Sequence, residues 1–230
     1  MITHYEWEGG REVMLRFGPP VGPIVVMAMP LFEEANRTRA FAVTLLRALA
    51  DLSMAGMLPD LPGTNESMVE TSAVTLDIWQ TAFAAAAHSA NRHGPVHAAS
   101  IRGGALLDRT AKVKSRWHFA PVAGEGLIRD LFRARHIAQG GDVPVPSDDD
   151  GETIELAGNL VSATLVAELR HASPVTASPV RTVRLVDDPM PSDRAVEGAP
   201  LWRRAEPDND TVLAAVLAAD LAAWVRRCEG

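Results

Sequence analysis

The chain has 230 residues, of which 47% are hydrophobic and 22% are charged, and its formal net charge is −7. These values are typical of a soluble globular protein and argue against extensive disorder, and the length suits one domain or one domain with a small insertion. The acidic excess argues against a general nucleic-acid or anionic-membrane surface, because both need clustered lysine and arginine.

Segments with strand character alternate with segments of helical periodicity along the chain. Apolar residues recur at helical spacing over 38–52 and again over 211–227, where Asp210 is a plausible N-cap and Arg226 and Arg227 suit the helix C-terminus. The predicted strands are 12–17, 23–29, a short segment before Asp60, 96–101, 117–121, 180–186 and 200–205.

This alternation predicts an α/β fold, with a mostly parallel sheet that carries helices on both faces. We expect a single domain over 1–230 with a lid-like insertion at about 124–172, which contains helices near 127–138 and 160–171. A loop at 140–151 is rich in glycine, proline and aspartate and is expected to be exposed. Ligands of such sheets bind beyond the carboxyl ends of the strands, so the residues that directly follow strands are the candidates for function.

The first post-strand segment, 30–39, forms a helix entrance with charged side chains. Backbone N–H groups at a helix N-terminus bind anions, which makes this segment a candidate ligand site. The alternative is that these charges cap the helix and pair with one another. The predicted ligand-binding residues here are Phe32, Glu33, Glu34, Asn36 and Arg37.

The next post-strand segment, 58–67, leaves its strand through a turn rich in proline and glycine. Asp60 and Ser67 are interpreted as turn-stabilising residues, because aspartate and serine side chains form hydrogen bonds to nearby backbone, and the alternative is a catalytic role.

The segment 97–107 is typical of a nucleophile elbow, in which a sharp turn between a strand and a helix presents a catalytic serine. Arg102 stands at the turn where the serine is expected, and it cannot attack an ester. Ser100 lies two residues earlier and is a candidate nucleophile that would project from the strand end. Ile101, Gly103 and Gly104 are the other predicted ligand-binding residues around the turn.

Arg102 is expected at the positive end of the following helix, so an acidic side chain or an anionic ligand should lie opposite it. Glu206, after the last predicted strand, is the first candidate, and the alternative is that it caps the terminal helix. Asp187 and Asp188, after the preceding strand, are the other candidates. The segment after the last predicted strand contains no histidine to serve as a catalytic base.

The histidines do not predict a metal site, and no cofactor is predicted. His93 and His97 have the spacing of a ligand pair, but Gly94 and Pro95 break the helix that such a pair needs. His118 and His136 are candidates for a ligand or acid–base role. No phosphate-binding glycine loop occurs.

Four segments together, 30–39, 100–107, 121–135 and 201–207, resemble the exosortase A system-associated hydrolases, and specifically their second type, whose elbow also carries arginine. The resemblance extends from about residue 23 to 224. It implies an α/β-hydrolase fold and a role beside surface-polysaccharide synthesis and protein sorting, with a protein partner in polysaccharide export. The chain departs from the family pattern at Ser100, where the family has glycine.

Two functional classes remain open from the sequence. In the first, a non-catalytic protein uses Arg102 and the helix entrance to bind a small anionic or acyl ligand or a protein partner. In the second, an unconventional nucleophile or water attacks an ester or thioester while Arg102 stabilises the oxyanion. We expect a cytoplasmic protein without a membrane span, since no apolar segment approaches roughly 18 residues and the one cysteine, Cys228, has no intrachain partner. The sequence does not indicate the oligomeric state.

Overall fold

The computed structural model describes residues 1–139, 153–156, 158–177 and 179–230. The predicted exposed loop at 140–151 lies outside these residues. An eight-stranded sheet forms the centre, and a separate two-stranded hairpin lies between its sixth and seventh strands in chain order. The sheet strands are β1 (Ile2–Trp7), β2 (Gly10–Phe17), β3 (Ile24–Ala28), β4 (Ala55–Pro59), β5 (Val96–Ile101), β6 (Arg116–Phe119), β9 (Val180–Leu185) and β10 (Arg194–Val196), and the hairpin is β7 (Thr153–Leu156) with β8 (Asn159–Ser162).

The strand order across the sheet is β1-β2-β4-β3-β5-β6-β9-β10. The pairs from β4 to β10 are parallel, and only the pairs β1–β2 and β2–β4 are antiparallel. The predicted mostly parallel α/β sheet is therefore confirmed. Strands β3, β4 and β5 are buried along their whole length, as is usual for parallel strands that are covered on both faces.

Helices cover both faces of the sheet. Helices α1 and α5 pack with one face, while α2, α3 and α4 contribute to the apolar core on the other. In β3, Ile24 and Val26 face the core formed with α2, α3 and α4. Val25 and Met27 face the core formed with α1 and α5, which is the alternation expected of a strand. The helices are α1 (Glu33–Asp51), α2 (Leu76–Ala90), α3 (Gly124–Gln139), α4 (Ala163–His171) and α5 (Thr211–Glu229).

Two sequence predictions of local structure are wrong. The segment predicted as a strand at 200–205 forms a short 3-10 turn, Leu201–Arg203, because the Arg203 N–H donates to the Pro200 carbonyl over 2.9 Å instead of to a neighbouring strand. The last strand is β10, which lies earlier in the chain. The helix predicted at 160–171 begins only at Ala163, where the Ser162 hydroxyl accepts a hydrogen bond from the Leu165 N–H.

A buried carboxylate fastens α5 to the sheet. Asp220 accepts two hydrogen bonds from Arg181, at 2.9 and 2.8 Å, and one each from Arg194 and the Trp117 indole, at 2.7 and 2.8 Å. Burial alone would raise the pKa of Asp220, but these hydrogen bonds outweigh it and lower the pKa to about 2. Within the part of the chain that the structure describes, every helix is too short or too polar to cross a bilayer.

Candidate functional site

The predicted sharp turn after β5 is present, and Arg102 occupies it. The φ angle of Arg102 is 54°, in the left-handed region that residues other than glycine seldom adopt. A Cβ atom on Gly104 would lie 2.5 Å from the Met29 carbonyl oxygen, so only glycine allows the turn to approach the end of β3 this closely. The predicted helix start after the turn is a short 3-10 helix, Arg102–Leu106. The backbone of an elbow is thus retained without its nucleophile.

The guanidinium of Arg102 is held on several sides. Its Nε lies 3.3 and 3.2 Å from the two carboxylate oxygens of Glu34, and its Nη2 lies 3.0 Å from Oε1. Its Nη1 donates to the Ala120 carbonyl over 3.4 Å, and its Cζ lies 4.8 Å from the centre of the Trp202 ring. Only 9% of Arg102 is exposed. The side chain therefore forms a largely buried ion pair combined with a cation–π contact.

The predicted pairing of Arg102 with Glu206 is wrong, because Glu206 is exposed and Glu34 takes its place. Helix α1 begins at Glu33, five residues before the predicted start, which brings Glu34 into its first turn beside the elbow. Burial raises the pKa of Glu34, and the charge and hydrogen bonds of Arg102 oppose this rise only in part. Glu34 was among the predicted ligand-binding residues, but in this arrangement it binds Arg102.

The segments that follow β9 and β10 contain no histidine. In α/β-hydrolases the nucleophile, the acid and the histidine follow one another along the chain. Here Arg102 is followed by Asp188 after β9 and by Trp202 after β10. Burial would raise the pKa of Asp188, but hydrogen bonds from the Met190 N–H and Arg184 and the charge of Arg102 lower it. Arginine, aspartate and tryptophan together cannot perform serine-type acyl transfer.

Ser100 does not replace the missing nucleophile. It is 0% exposed, and its hydroxyl donates to Oδ2 of Asp108 over 2.9 Å. The same oxygen accepts a hydrogen bond from Nε2 of His118 over 2.8 Å. A catalytic serine needs a base that takes its proton, whereas here serine and histidine both donate to one carboxylate. This buried cluster therefore fixes Asp108 and His118 instead of activating Ser100.

Arg116 completes the cluster around Asp108. Its Nε lies 3.3 Å from Oδ1 of Asp108, an ion-pair distance, while its Nη2 donates to the Asp108 carbonyl over 2.8 Å. Oδ1 forms no hydrogen bond with the described residues, so the contact with Arg116 is ionic. Sequence reasoning missed Asp108 and Arg116. The available signal was the position of Arg116 and His118 two residues apart on one strand, which places both side chains on the same face.

A cleft of about 750 Å³ opens beside this cluster. It lies where α3, the ends of β6 and β9 and the segment 200–203 meet. Its volume lies within the range of small-molecule sites. Both Arg102 and His118 border it. Its other charged lining residues are Arg129, Asp130, Arg184, Asp187, Asp188 and Arg203.

The remaining predicted ligand-binding residues do not border this cleft. Phe32 has a φ of 59° and packs edge-to-face on Trp79, and with Asn36 it lines a smaller cavity of about 290 Å³. Glu33 and Arg37 pair with each other at 3.3 Å, as the capping alternative proposed. The buried residues at the turn are Ile101, Gly103 and Gly104.

The other candidates of the sequence are dispersed. The Ser67 hydroxyl accepts hydrogen bonds from the Gly63 and Val69 N–H groups, at 3.0 and 3.2 Å, as expected of a turn-stabilising residue, and donates to Glu12. Asp60 instead binds the side chains of Arg39 and Asn65, at 3.1 and 2.8 Å. His136 is exposed on α3. Over the described ranges, no group of three or more histidine, cysteine or acidic side chains is arranged to hold a metal ion.

Comparisons with known proteins agree with this geometry at the level of the fold. No family model matches the chain, and no curated protein is similar in sequence. Among solved structures, alpha/beta hydrolase domain-containing protein 10 from mouse aligns with a TM-score of 0.60 at 14% identity, covering 99% of this chain and 99% of that one. The chain has the α/β-hydrolase fold.

Two further structures support this assignment. Est1E from Butyrivibrio proteoclasticus has a TM-score of 0.60 at 13% identity, with 99% of this chain and 98% of that chain covered. A lidless α/β serine hydrolase from Xanthomonas campestris has a TM-score of 0.56 at 14% identity, with 99% and 94% covered. At such identities the likeness establishes the fold alone, and the activity must be argued from the site.

Proposed function

We propose that this chain is a non-catalytic binding protein on an α/β-hydrolase scaffold, whose cleft beside Arg102 binds a small ligand with an anionic or acyl group. The observation that carries the proposal is the presence of Arg102 at the elbow turn. The turn that would carry a serine holds Arg102, whose guanidinium is bound to Glu34 and lies over the Trp202 ring, and no histidine follows β9 or β10. Losing both groups removes nearly all of a triad's rate enhancement, while the scaffold and its cleft persist.

The charges around the cleft favour an anionic group on the ligand. Arg129 and Arg203 border the cleft and are exposed, and their side chains form no ion pair or hydrogen bond with other described residues. Arg102 keeps guanidinium N–H groups beyond those that bind Glu34 and Ala120. Carboxylates and phosphates suit such donors, because an arginine can bind two of their oxygens at once.

We further propose that the segment 124–172 acts as a lid within a single domain 1–230. Gly126 and Arg129 of α3 border the cleft, which supports this role because α3 then closes one side of the site. The resemblance to the exosortase A system-associated hydrolases supports a cytoplasmic role beside surface-polysaccharide export, with a protein partner from that process.

A hydrolase that uses water is the second candidate, and one observation favours it. The remaining N–H groups of Arg102 lie at the cleft, where they could stabilise the oxyanion of an ester or thioester. The pairing with Glu34 argues against this role, because the carboxylate already neutralises the positive charge of Arg102 that would stabilise the oxyanion.

Calorimetric titration with hexanoate, hexyl phosphate and gluconate, against the neutral hexanamide, tests the binding proposal. We expect at least one anion to bind roughly tenfold or more tightly than hexanamide, and the double variant R129Q/R203Q to lose this preference. A matched control is R109Q, since Arg109 is exposed and does not border the cleft. Anions that bind no better than hexanamide would overturn the proposal.

A further inference from the structure

His118, which borders the cleft, has a ring nitrogen without a hydrogen-bond partner among the described residues. His118 is 1% exposed and borders the cleft, and its Nε2 is engaged with Asp108 at 2.8 Å. Its other ring nitrogen, Nδ1, forms no hydrogen bond with any residue in the described ranges. Nδ1 is not among the fully buried side-chain atoms that lack a hydrogen bond, and since His118 borders the cleft, a ligand can reach this nitrogen there.

The surroundings of Asp108 determine what Nδ1 can do. The carboxylate of Asp108 accepts hydrogen bonds from Ser100 and His118, which hold it in one orientation, and Arg116 at ion-pair distance balances its charge. The carboxylate accepts a hydrogen bond from the Nε2–H group, which fixes the imidazole tautomer. In the neutral ring, a proton on Nε2 leaves Nδ1 as a hydrogen-bond acceptor. The ligand group that meets it must therefore be a donor.

A second polar group lies next to His118. Thr182 of β9 is the register partner of His118 of β6, so both side chains project from the same face of the sheet into the cleft. The Thr182 hydroxyl forms no hydrogen bond with other described residues, and it can donate or accept. Together, Nδ1 and this hydroxyl match the two hydrogen-bonding functions of an alcohol, which donates one hydrogen bond and accepts others.

We propose that His118 and Thr182 form a hydroxyl-recognition site, and that the ligand class of the cleft is a hydroxylated anion such as a sugar acid. The proposal rests on the proposed function, since it assumes an anionic group held by the arginines of the cleft. The hydroxyl donates to Nδ1 of His118 and accepts from Thr182, while Asp108 positions the ring. A site built in this way discriminates against a ligand that lacks the hydroxyl, because binding that ligand leaves Nδ1 without a partner.

The test uses calorimetric titration of gluconate and of hexanoate into the wild-type protein and the variant H118Q. Glutamine places an amide near Nε2 and can still donate to Asp108, but it removes the acceptor at Nδ1. We expect H118Q to bind gluconate roughly tenfold more weakly, the loss expected for one net hydrogen bond, and to bind hexanoate unchanged. The isosteric variant T182V is expected to show the same selective loss.

The outcomes separate this inference from the proposed function. Equal losses for both acids, or no loss for gluconate, would overturn the hydroxyl site while anion binding stands. Absence of gluconate binding at about 10 mM, which nearly fills a site with a Kd of about 1 mM, would also overturn it, whether or not hexanoate or hexyl phosphate binds. Thermal unfolding of H118Q checks that the variant is folded. The variant H118N, which keeps an acceptor near Nδ1, should retain more gluconate affinity than H118Q.

Discussion

Removing the carboxylate of Glu34 should destabilise the protein far more than removing the neighbouring carboxylate of Glu33. The side chains of Arg102 and Glu34 are 11% and 17% exposed, so the E34L variant leaves a largely buried guanidinium without a counter-charge. Breaking a fully buried pair costs about 3–5 kcal/mol. The residual exposure and the surviving contacts with Ala120 and Trp202 reduce this to about 2–3 kcal/mol.

The matched control is E33L, on the same turn of α1. Glu33 and its partner Arg37 have side chains that are 34% and 30% exposed, and an exposed pair of this kind contributes about 0.5 kcal/mol or less. Urea unfolding followed by tryptophan fluorescence measures both variants. In a chain of this size, the loss in E34L corresponds to a fall in Tm of about 5–10 °C.

A double-mutant cycle with R102L makes the prediction sharper. The double variant E34L/R102L should be less destabilised than the sum of the single variants, with a coupling of about 1–2 kcal/mol, because it no longer buries an isolated charge. Additive single effects, or equal effects of E33L and E34L, would refute the claim that the elbow is closed by a buried ion pair.

The cost of R102L should also depend on pH. A carboxyl whose pKa is raised in the folded state holds its proton more tightly there than in the unfolded chain, so its contribution to stability falls as pH rises through the interval above its ordinary value. Removing Arg102 takes away the group that lowers the pKa of Glu34, which widens this interval. R102L should therefore be more destabilising at about pH 8 than at about pH 5, and an equal cost at both pH values would contradict this reasoning.

Two further predictions concern the scaffold. Asp220, whose pKa is lowered to about 2, should contribute about 2 kcal/mol above its ordinary pKa and lose it as pH falls from about 4 to about 2. Urea unfolding at stepwise lower pH should show this loss of unfolding free energy in the wild type and a smaller loss in D220N. Equal losses in the two proteins would contradict the prediction. G104A should lower Tm strongly or prevent folding, because its Cβ would lie 2.5 Å from the Met29 carbonyl oxygen. G126A should change Tm little, because its Cβ would meet only side chains, those of Val122 at 3.2 Å and Arg129 at 3.7 Å. Calorimetric scans of the two variants make this comparison, and a well-folded G104A would show that the close approach is not required.

Local sequence patterns predicted most of the sheet because they reflect which residues are buried. The continuous apolar runs of β3 and β5 and the periodicity of α5 are visible without any long-range contact. The elbow was also visible, because its small residues are needed for the approach of Gly104 to the end of β3. The segment 200–205 was misjudged because local bonds at Pro200 compete with strand pairing, and sequence patterns do not show which of the two is more stable.

The partners in the site were less predictable because they depend on contacts between distant segments. Glu34 and Arg102 are 68 residues apart, and their pairing requires α1 to begin early enough to face the elbow. The position of Glu206 after the last predicted strand favours a pairing with Arg102, but Glu206 is exposed in the structure, and Trp202 contacts Arg102 instead. The cluster of Ser100, Asp108 and His118 likewise depends on the parallel register of β5 and β6, which composition does not reveal.

Labelling with a broad fluorophosphonate tests the central claim most directly, when it is read by intact mass and peptide mapping beside a panel of short acyl esters and thioesters. With a buried Ser100 bonded to Asp108 and Arg102 closing the elbow, we predict no adduct and no turnover above the uncatalysed rate. A serine esterase of the same fold, labelled in parallel, verifies the reagent. A single adduct on Ser100 or Ser67, with turnover that the corresponding alanine variant abolishes, would contradict the account and establish a relocated nucleophile.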